Sequence, residues 1–295
     1  MRIKVLGSAA GGGFPQWNCT CRNCSRLRDG SLRGRARTQT QLAVTGDHLS
    51  WLLFGASPDL RQQLLSFPEL SPVAGEPSPI RGVFLPNADV DSVLGLLHLR
   101  EFQSFQIFAT PAVRKILQEE NGIFRVLHRA DPPVTWETLP FAGQPEMAAN
   151  ELRCQALPLG GNYPDYVSEQ LRRRLPGNEA VVGYVLEQAG KRAFYAPALS
   201  GRNPEWKRWA ESSGLALIDG TFWSEDELRK TGRSWKTARE IGHLPLSGPD
   251  GLLEQYPRNA RGRKILIHIN NTNPILNEES PEYRAVRDAG WDIAY

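Results

Sequence analysis

The amino-acid sequence predicts an α/β protein with a four-layer αββα architecture, in which two packed mixed sheets are flanked by helices. Strand-like and helix-like segments alternate at both ends of the chain, and a run of successive strand-like segments separates the two alternating parts. The composition is typical of a folded globular protein, since 40% of the 295 residues are hydrophobic and 23% are charged. We therefore expect one domain that spans residues 1–295.

The first half of the chain begins with strands and continues with strand–helix pairs. An apolar strand leads into Gly11-Gly12-Gly13, which lacks the G-x-G-x-x-G spacing and runs into cysteines, so we do not expect dinucleotide binding. Proline in the first turn supports the last helix of this half. The predicted elements are strand 2–8, strands 38–47 and 50–57, helix 58–67, strand 80–87, helix 88–102, strand 104–110 and helix 111–119.

The second half begins with four strand-like segments and then returns to alternation. A polar or glycine-rich turn separates each apolar segment from the next. The predicted elements are strands 134–140, 151–159, 181–188 and 191–199, helix 203–213, strand 215–220, helix 224–232, a helix near Leu252, strand 264–271, helix 280–290 and strand 291–295.

Three of the four cysteines lie in the stretch WNCTCRNC at residues 17–24. Cys19, Cys21 and Cys24 have a C-x-C-x-x-C spacing, in which a tight turn can direct three thiolates at one ion about 2.3 Å away. We see no signal peptide and expect a reducing cytoplasm, where disulfides are rare. The pattern predicts a site for a soft tetrahedral metal ion with a fourth ligand from elsewhere, whereas Cys154 is interpreted as a small core residue.

Polar side chains collect at the expected carboxyl ends of strands, where ligands of open α/β sheets bind. They are Asn87, Asp89, Asp91, Ser92, Asp219, His243, His268, Asn270, Asn271 and Asn273. Several also have a structural explanation, because Asp91 can cap a helix, Asp219 can belong to a turn and His243 can be a satisfied loop histidine. His268 falls in a strongly apolar strand, where its ring needs a partner, so we interpret it as a site residue.

Several segments resemble the PqqB (pyrroloquinoline quinone biosynthesis protein B) family of the metallo-β-lactamase superfamily. They are VLGSAAGGGFPQWNCTCRNC, TQTQLAV, ASPDLRQQL, GLLHLRE, FYAPAL, LIDGTFW, REIGHLPLSGP and LIHINNTNPILNEESPE. The resemblance extends from residue 2 to the end and implies a metallo-β-lactamase-like αββα sandwich. It also implies a zinc ion on the three clustered cysteines, and we expect the fourth ligand from the HINN segment, either His268 or Asn271.

The sequence departs from the superfamily at its first metal motif, H-x-H-x-D-H, of which PqqB proteins keep mainly the D-H end. Residues 87–92 read Asn-Ala-Asp-Val-Asp-Ser, so Ser92 replaces the last histidine. A serine hydroxyl is a poor ligand for iron or zinc. Asp89, Asp91, Asp219 and His268 can still converge in one cleft, and this set approaches a 2-His-1-carboxylate triad only if His243 reaches inward.

The resemblance implies iron-dependent oxygenation of the tyrosine ring in a cross-linked Glu–Tyr intermediate, a small-molecule precursor of PQQ. In that chemistry Asp91 and His268 would hold iron, while Asp219 or His243 would orient substrate or move protons. The alternative is a non-catalytic protein that binds or transports PQQ or its precursor, which Ser92 keeps open. A two-metal hydrolase would need more histidines.

Other partners are limited by composition. The net charge of +3 is carried by scattered arginines, so we expect no nucleic-acid surface. There is no run of 18 apolar residues, so we expect no membrane span. We also consider a homodimer.

Overall fold

A computed structural model describes residues 1–101, 103–129, 131–139, 146–149, 152–256 and 261–295. In these residues two mixed sheets pack between helices, which confirms the predicted fold class. The strands are β1 Arg2–Gly7, β2 Gln41–Thr45, β3 Trp51–Phe54, β4 Ile80–Phe84, β5 Gln106–Ala109, β6 Thr135–Thr138, β7 Glu146–Ala149, β8 Leu152–Pro158, β9 Val182–Gln188, β10 Lys191–Ala196, β11 Leu215–Asp219, β12 Arg263–Ile267 and β13 Trp291–Ile293. The α-helices are α1 Arg22–Arg28, α2 Leu60–Leu65, α3 Val90–Val93, α4 Pro111–Lys115, α5 Glu169–Arg172, α6 Glu205–Glu211, α7 Glu227–Lys230, α8 Leu252–Gln255 and α9 Pro281–Asp288.

The two sheets have the same plan. Across the described ranges, the first sheet has the order β1-β2-β3-β4-β5-β6 and the second has the order β13-β12-β11-β10-β9-β8-β7. Each begins in the chain with antiparallel neighbours and continues with parallel ones, from β3 to β6 in the first sheet and from β10 to β13 in the second. The chain crosses over through helical segments between parallel strands. The site residues lie in the segments that follow the carboxyl ends of β4, β11 and β12, where ligands of open α/β sheets usually bind.

Aromatic rings hold the two sheets together. Phe84 stacks between Phe54 and Phe108 of the first sheet, with ring centroids 4.8 and 4.2 Å away. Tyr184 of the second sheet meets Phe54 and Phe84 edge-on, and its hydroxyl donates to the Leu85 carbonyl at 2.7 Å. Edge-to-face and offset contacts of this kind add to the free energy gained from burial. In the inter-sheet core, stacked aromatic rings of the first sheet therefore pack against a tyrosine of the second sheet.

The outer faces of the sheets are covered by helices. β3 is buried on both faces, which explains its uninterrupted apolar sequence, and β2 is buried along its whole length although Gln41 and Thr45 at its ends are polar. Trp206 of α6 is fully buried against the outer face of the second sheet, and Val286 of α9 is buried near β13. None of the helices in the described ranges is both long and apolar enough to cross a membrane.

Some element predictions were wrong in detail. The predicted helix 88–102 is a short α3 followed by a 3-10 helix at Leu94–Leu99, because the Ser92 carbonyl and the Gly95 N–H form hydrogen bonds with Ala56 and not with helix partners. The last strand before α9 ends at Ile267, so His268 lies just beyond it. Helices α1 and α5 and strand β7 were not predicted. Residues 102 and 140, which end two predicted elements, and residue 151, which begins a third, lie outside the described residues.

Candidate functional site

The three clustered cysteines come together in space. Cys21 immediately precedes α1 and Cys24 lies in its first turn, so their side chains share one side of the helix start. The Cys21 backbone N–H donates to Cys19 Sγ at 3.3 Å, which folds the preceding loop back on the helix. The three sulfurs lie within 4.8 Å of one another. This arrangement can hold a tetrahedral metal ion with three thiolates.

Asn271 closes the cysteine cluster from the segment after β12. Its Nδ2 lies 3.5 Å from Cys24 Sγ, and its backbone oxygen lies 3.6 Å from Cys21 Sγ. Asn271 Nδ2 also donates to Gln16 Oε1 at 2.9 Å, so a half-turn of both amides would turn the Asn271 oxygen toward the sulfurs and keep a hydrogen bond between the two side chains. The His268 ring points instead at the second cluster. Of the two predicted candidates for the fourth ligand, only Asn271 contacts the cysteines.

The electrostatics of the cysteine cluster depend on burial and on one arginine. Burial and the neighbouring sulfurs of Cys19 and Cys24 raise the pKa of Cys21 to about 12. Burial also acts to raise the pKa of Cys19, but hydrogen bonds from Cys21 and Cys24 and the charge of Arg233 hold it below its usual value. Arg233 Nη2 lies 3.3 Å from Cys19 Sγ. Arg233, which sequence reasoning missed, offsets negative charge on the thiolates.

The second cluster lies at the carboxyl ends of β11 and β12 and the loop after β4. The rings of His243 and His268 stack with centroids 5.4 Å apart. His243 Nδ1 is 2.6 Å from Asp219 Oδ2, and His268 Nε2 is 3.1 Å from Asp91 Oδ2. His243 therefore points into the cluster, so that two histidines and a carboxylate lie close together, as the predicted 2-His-1-carboxylate arrangement requires.

Asp219 is the most enclosed member of the second cluster, with a side chain that is fully buried. Its Oδ2 accepts from the Leu199 backbone N–H at 2.8 Å and faces His243 Nδ1, while its Oδ1 accepts from the backbone N–H and the hydroxyl of Thr221. These hydrogen bonds and the two histidines hold the pKa of Asp219 below its usual value despite burial. Because four donors occupy its lone pairs, Asp219 is suited to orienting His243.

Asp91 and His268 face each other across the remaining part of the cluster. Burial acts to lower the pKa of His268, but the hydrogen bond to Asp91 and nearby carboxylates raise it above its usual value. Burial acts to raise the pKa of Asp91, and His268 holds it below the usual value. A small cavity of about 10 Å³ adjoins both residues and is lined in part by Asn87 and Ser92.

Asp89 does not share that small cavity. It lines a separate cavity of about 170 Å³ together with His243, beside the loop that contains Tyr163 and Asp165. Burial and the negative charge of Asp91 raise the pKa of Asp89 to about 7. Asp89 and His243 border this cavity, Asp91 and His268 border the smaller one, and Ala198 borders both, so the single cleft for all five residues stays a prediction.

Comparisons with known proteins agree with this fold and these motifs. A family model described as a beta-lactamase superfamily domain matches residues 50–269. "Coenzyme PQQ synthesis protein B" of Azoarcus sp. (strain BH72) is 44% identical over 300 residues, which cover 100% of this chain and 98% of the relative. The protein of that name from Methylococcus capsulatus is 39% identical over 307 residues, with 100% and 98% coverage. The chain belongs to the PqqB family.

Solved structures extend the comparison to three dimensions. The crystal structure of Zn²⁺-bound PqqB from Methylobacterium extorquens has a TM-score of 0.92 and 36% identity, and the match covers 100% of this chain and 98% of that one. A diphosphatase of the PhnP family, at 16% identity and a TM-score of 0.68, shares the fold alone. This member of the PqqB family thus has the predicted metallo-β-lactamase-like sandwich.

Sequence reasoning missed the residue at the centre of the second cluster in this PqqB family member. The Thr221 hydroxyl lies within hydrogen-bond distance of Asp219, His243 and His268. A threonine two positions after a strand-end aspartate was the available signal. His268 itself has a φ of 55°, a left-handed conformation that is unfavourable for histidine and common at functional sites.

Glu227 of α7 supports the segment that carries Asn271. It is buried and accepts hydrogen bonds from the Trp223 backbone N–H at 2.6 Å and from the Thr272 hydroxyl. Burial raises the pKa of Glu227 from 4.5 to about 7, although these hydrogen bonds oppose the shift. The folded state therefore binds a proton more tightly than the unfolded state, and stability is lost as pH rises from about 4.5 through 7.

We expect Glu227→Gln to remove this pH dependence. One pKa unit corresponds to about 1.4 kcal/mol. As pH rises from 5 to 8, the unfolding free energy of the wild type should therefore fall by about 2 kcal/mol relative to that of the variant. Urea unfolding of both zinc-loaded proteins at the two pH values measures this gain. A stability difference that is the same at pH 5 and pH 8 would contradict the assignment.

Proposed function

We propose that the chain acts in PQQ synthesis as an oxygenase, which replaces a ring C–H of the tyrosine in a cross-linked Glu–Tyr intermediate by C–OH. One atom of O₂ enters the ring and the other leaves as water, with two electrons and two protons from an external reductant. Full-length similarity to PqqB proteins supports the role in PQQ synthesis. The pairing of Asp91 with His268 beside the Asp219–His243 pair carries the catalytic proposal.

The donor set fits an iron ion held by Asp91 and His268. Their facing oxygen and nitrogen atoms are 3.1 Å apart, close to the separation of two adjacent ligands with bonds of about 2.1 Å. Non-haem iron oxygenases typically use two histidines and one carboxylate and leave positions open, and Asp91 with His268 supplies one ligand of each kind. Iron, when bound, would supply the O₂ and electron-transfer chemistry.

His243 is proposed to move protons. Asp219 accepts from Nδ1 and so keeps the proton on that nitrogen, which leaves Nε2 as the basic atom. His243 borders the cavity of about 170 Å³, where a substrate phenol can approach. Proton transfer by a positioned histidine typically contributes about 10²–10⁴-fold to a rate. Asp219 acts through His243, since its own oxygens are already occupied.

A structural zinc ion is proposed at Cys19, Cys21 and Cys24, with Asn271 as the fourth ligand. Three thiolates within 4.8 Å of one another suit zinc, and an amide oxygen would complete four-coordination. The ion would tie the N-terminal loop to the segment after β12. That junction already includes hydrogen bonds between Ala10 and Ile269 and between Asn23 and Asn271.

The oxygenase proposal is tested with iron-loaded protein, a synthetic cross-linked Glu–Tyr substrate, a reductant and O₂. We expect mass spectrometry to show the gain of one oxygen atom. His268→Ala should lose iron, whereas His243→Gln should keep iron and lose about 10²-fold or more in rate. His98→Gln, at an exposed position on the 3-10 helix, is the matched control. Full activity of His243→Gln would contradict its role.

Ser92 favours a second candidate function, a non-catalytic carrier of PQQ or its precursor. The serine lines the small cavity beside Asp91 and His268, where the superfamily motif has a third metal-binding side chain. Tight binding of PQQ or the cross-linked precursor by calorimetry, without oxygen incorporation in the presence of iron, would support this alternative. A homodimer stays a prediction, which light scattering can test.

A further inference from the structure

We propose that Thr221 is a positioning residue, whose hydroxyl keeps the proton of His268 on Nδ1 and directs Nε2 toward the metal position beside Asp91. The inference rests on the proposed metal site. Thr221 is 3% exposed and follows β11 by two residues. Its role is separate from metal binding, because it contacts the far side of the His268 ring from Asp91.

The Thr221 hydroxyl has four polar neighbours. Oγ1 lies 2.8 Å from His268 Nδ1, 2.8 Å from the His268 carbonyl oxygen and 3.1 Å from His243 Nδ1, and it also donates to Asp219 Oδ1. A hydroxyl has one proton to donate and two lone pairs to accept with. The hydroxyl proton therefore cannot be shared equally among all four neighbours.

The chemistry of the neighbours determines which of them receives the hydroxyl proton of Thr221. The Asp219 carboxylate and the His268 carbonyl can only accept, so the hydroxyl proton is directed to that side. If the hydroxyl instead donated to His268 Nδ1, its oxygen would face both acceptor oxygens without a proton, whereas donation to one of these oxygens leaves only the other unpaired. His268 Nδ1 must therefore donate to Thr221. With its proton on Nδ1, the ring presents Nε2 as the nitrogen that can bind a metal ion.

Thr221 also holds the backbone on which His268 depends. His268 has a φ of 55°, and surrounding contacts must maintain this unfavourable conformation. The Thr221 hydroxyl contacts both the ring and the carbonyl of His268, and the Thr221 carbonyl accepts from the Asn270 backbone N–H at 3.1 Å. One threonine thus fixes the tautomer and the direction of the ring. This matches the outer hydrogen bond that orients most metal-binding histidines.

The test compares Thr221→Val, which keeps the shape and removes the hydroxyl, with Thr221→Ser, which keeps the hydroxyl. Each zinc-loaded protein is titrated with Co²⁺ by calorimetry, and His268→Ala marks binding that does not use the site. We expect Thr221→Val to lose about 10–100-fold in Co²⁺ affinity and Thr221→Ser to stay within about threefold of the wild type. Unchanged zinc content shows that the variants fold.

A spectroscopic readout separates positioning from packing. The Co²⁺-bound wild type and Thr221→Ser should show a paramagnetically shifted, slowly exchanging ring N–H proton that is absent from His268→Ala. In Thr221→Val this signal should be lost through rapid exchange with water. If Thr221→Val keeps wild-type Co²⁺ affinity and an intact signal, the role of Thr221 is wrong but the proposed metal site stands. If the wild type and His268→Ala bind Co²⁺ equally, both the proposed metal site and the role of Thr221 are wrong.

Discussion

Purified Cys21→Ser protein is expected to contain no zinc at the cysteine cluster and to unfold about 10 °C below the wild type. The serine oxygen is a poor zinc ligand, and two thiolates with one amide cannot retain the ion against water. A structural zinc ion contributes to folding free energy because the unfolded chain does not offer a formed site. A loss of about 3–5 kcal/mol corresponds to roughly this shift for a chain of this size.

The location of the cluster explains why the effect should extend beyond the N-terminal loop. The loop and the Asn271 segment meet through the buried Asn23 side chain, which donates to the carbonyls of Asn271 and Asn273. Zinc loss would loosen this junction next to β12. Elemental analysis and thermal unfolding measure the two expected changes.

Cys154→Ala is the matched control for the zinc prediction. Cys154 is also buried, but it lies in β8 within the inter-sheet core and outside the cluster. Its substitution should lower stability through lost packing and leave zinc content unchanged. Full zinc retention by Cys21→Ser would show that the cluster does not hold the ion as assigned.

Ser92→His is expected to strengthen iron binding by at least about 10–100-fold. Losing an outer hydrogen-bond partner of a ligand costs about that much, so a restored direct ligand should gain no less. Ser92 lies in α3 one residue after Asp91, and both residues line the small cavity with His268. An imidazole at this position would add a nitrogen ligand to the Asp91–His268 pair. Calorimetric titration with Fe²⁺ under anaerobic conditions measures the change.

Two control variants accompany Ser92→His. Ser92→Ala removes the hydroxyl, and Ser92→Gln adds bulk without an imidazole, so neither should increase iron affinity. If the wild type already binds iron tightly and turns over, another residue replaces the missing histidine. If neither the wild type nor Ser92→His binds iron while either binds PQQ or its precursor, the carrier function is favoured.

Much of the fold could be predicted from local patterns. Strand β3 is a short apolar run, β12 contains an apolar run after Arg263 and Lys264, and α9 begins with serine and proline in positions that favour a helix start. The boundaries of α3 could not be predicted, because the hydrogen bonds of Ser92 and Gly95 with Ala56 depend on a neighbour distant in sequence. Strand β7 and helix α1 lacked an apolar periodicity long enough to indicate them.

The sequence by itself determined the chemistry of this protein at two places. The C-x-C-x-x-C spacing brings three sulfurs together through one loop and one helix turn, and the replacement of histidine by Ser92 is visible without coordinates. Both features are local, since covalent spacing restricts where such side chains can lie.

Only the tertiary structure decided which partner each of the other site residues meets. Asp91 and His268 are 177 positions apart in the chain, and the direction of the His268 ring follows from a left-handed residue just past β12. The tertiary structure also decides which donors occupy the oxygens of Asp219, which cavity Asp89 lines, and that Thr221 lies at the centre of the cluster. These contacts form where strand ends from both sheets converge, and a linear pattern does not specify which side chains face each other there.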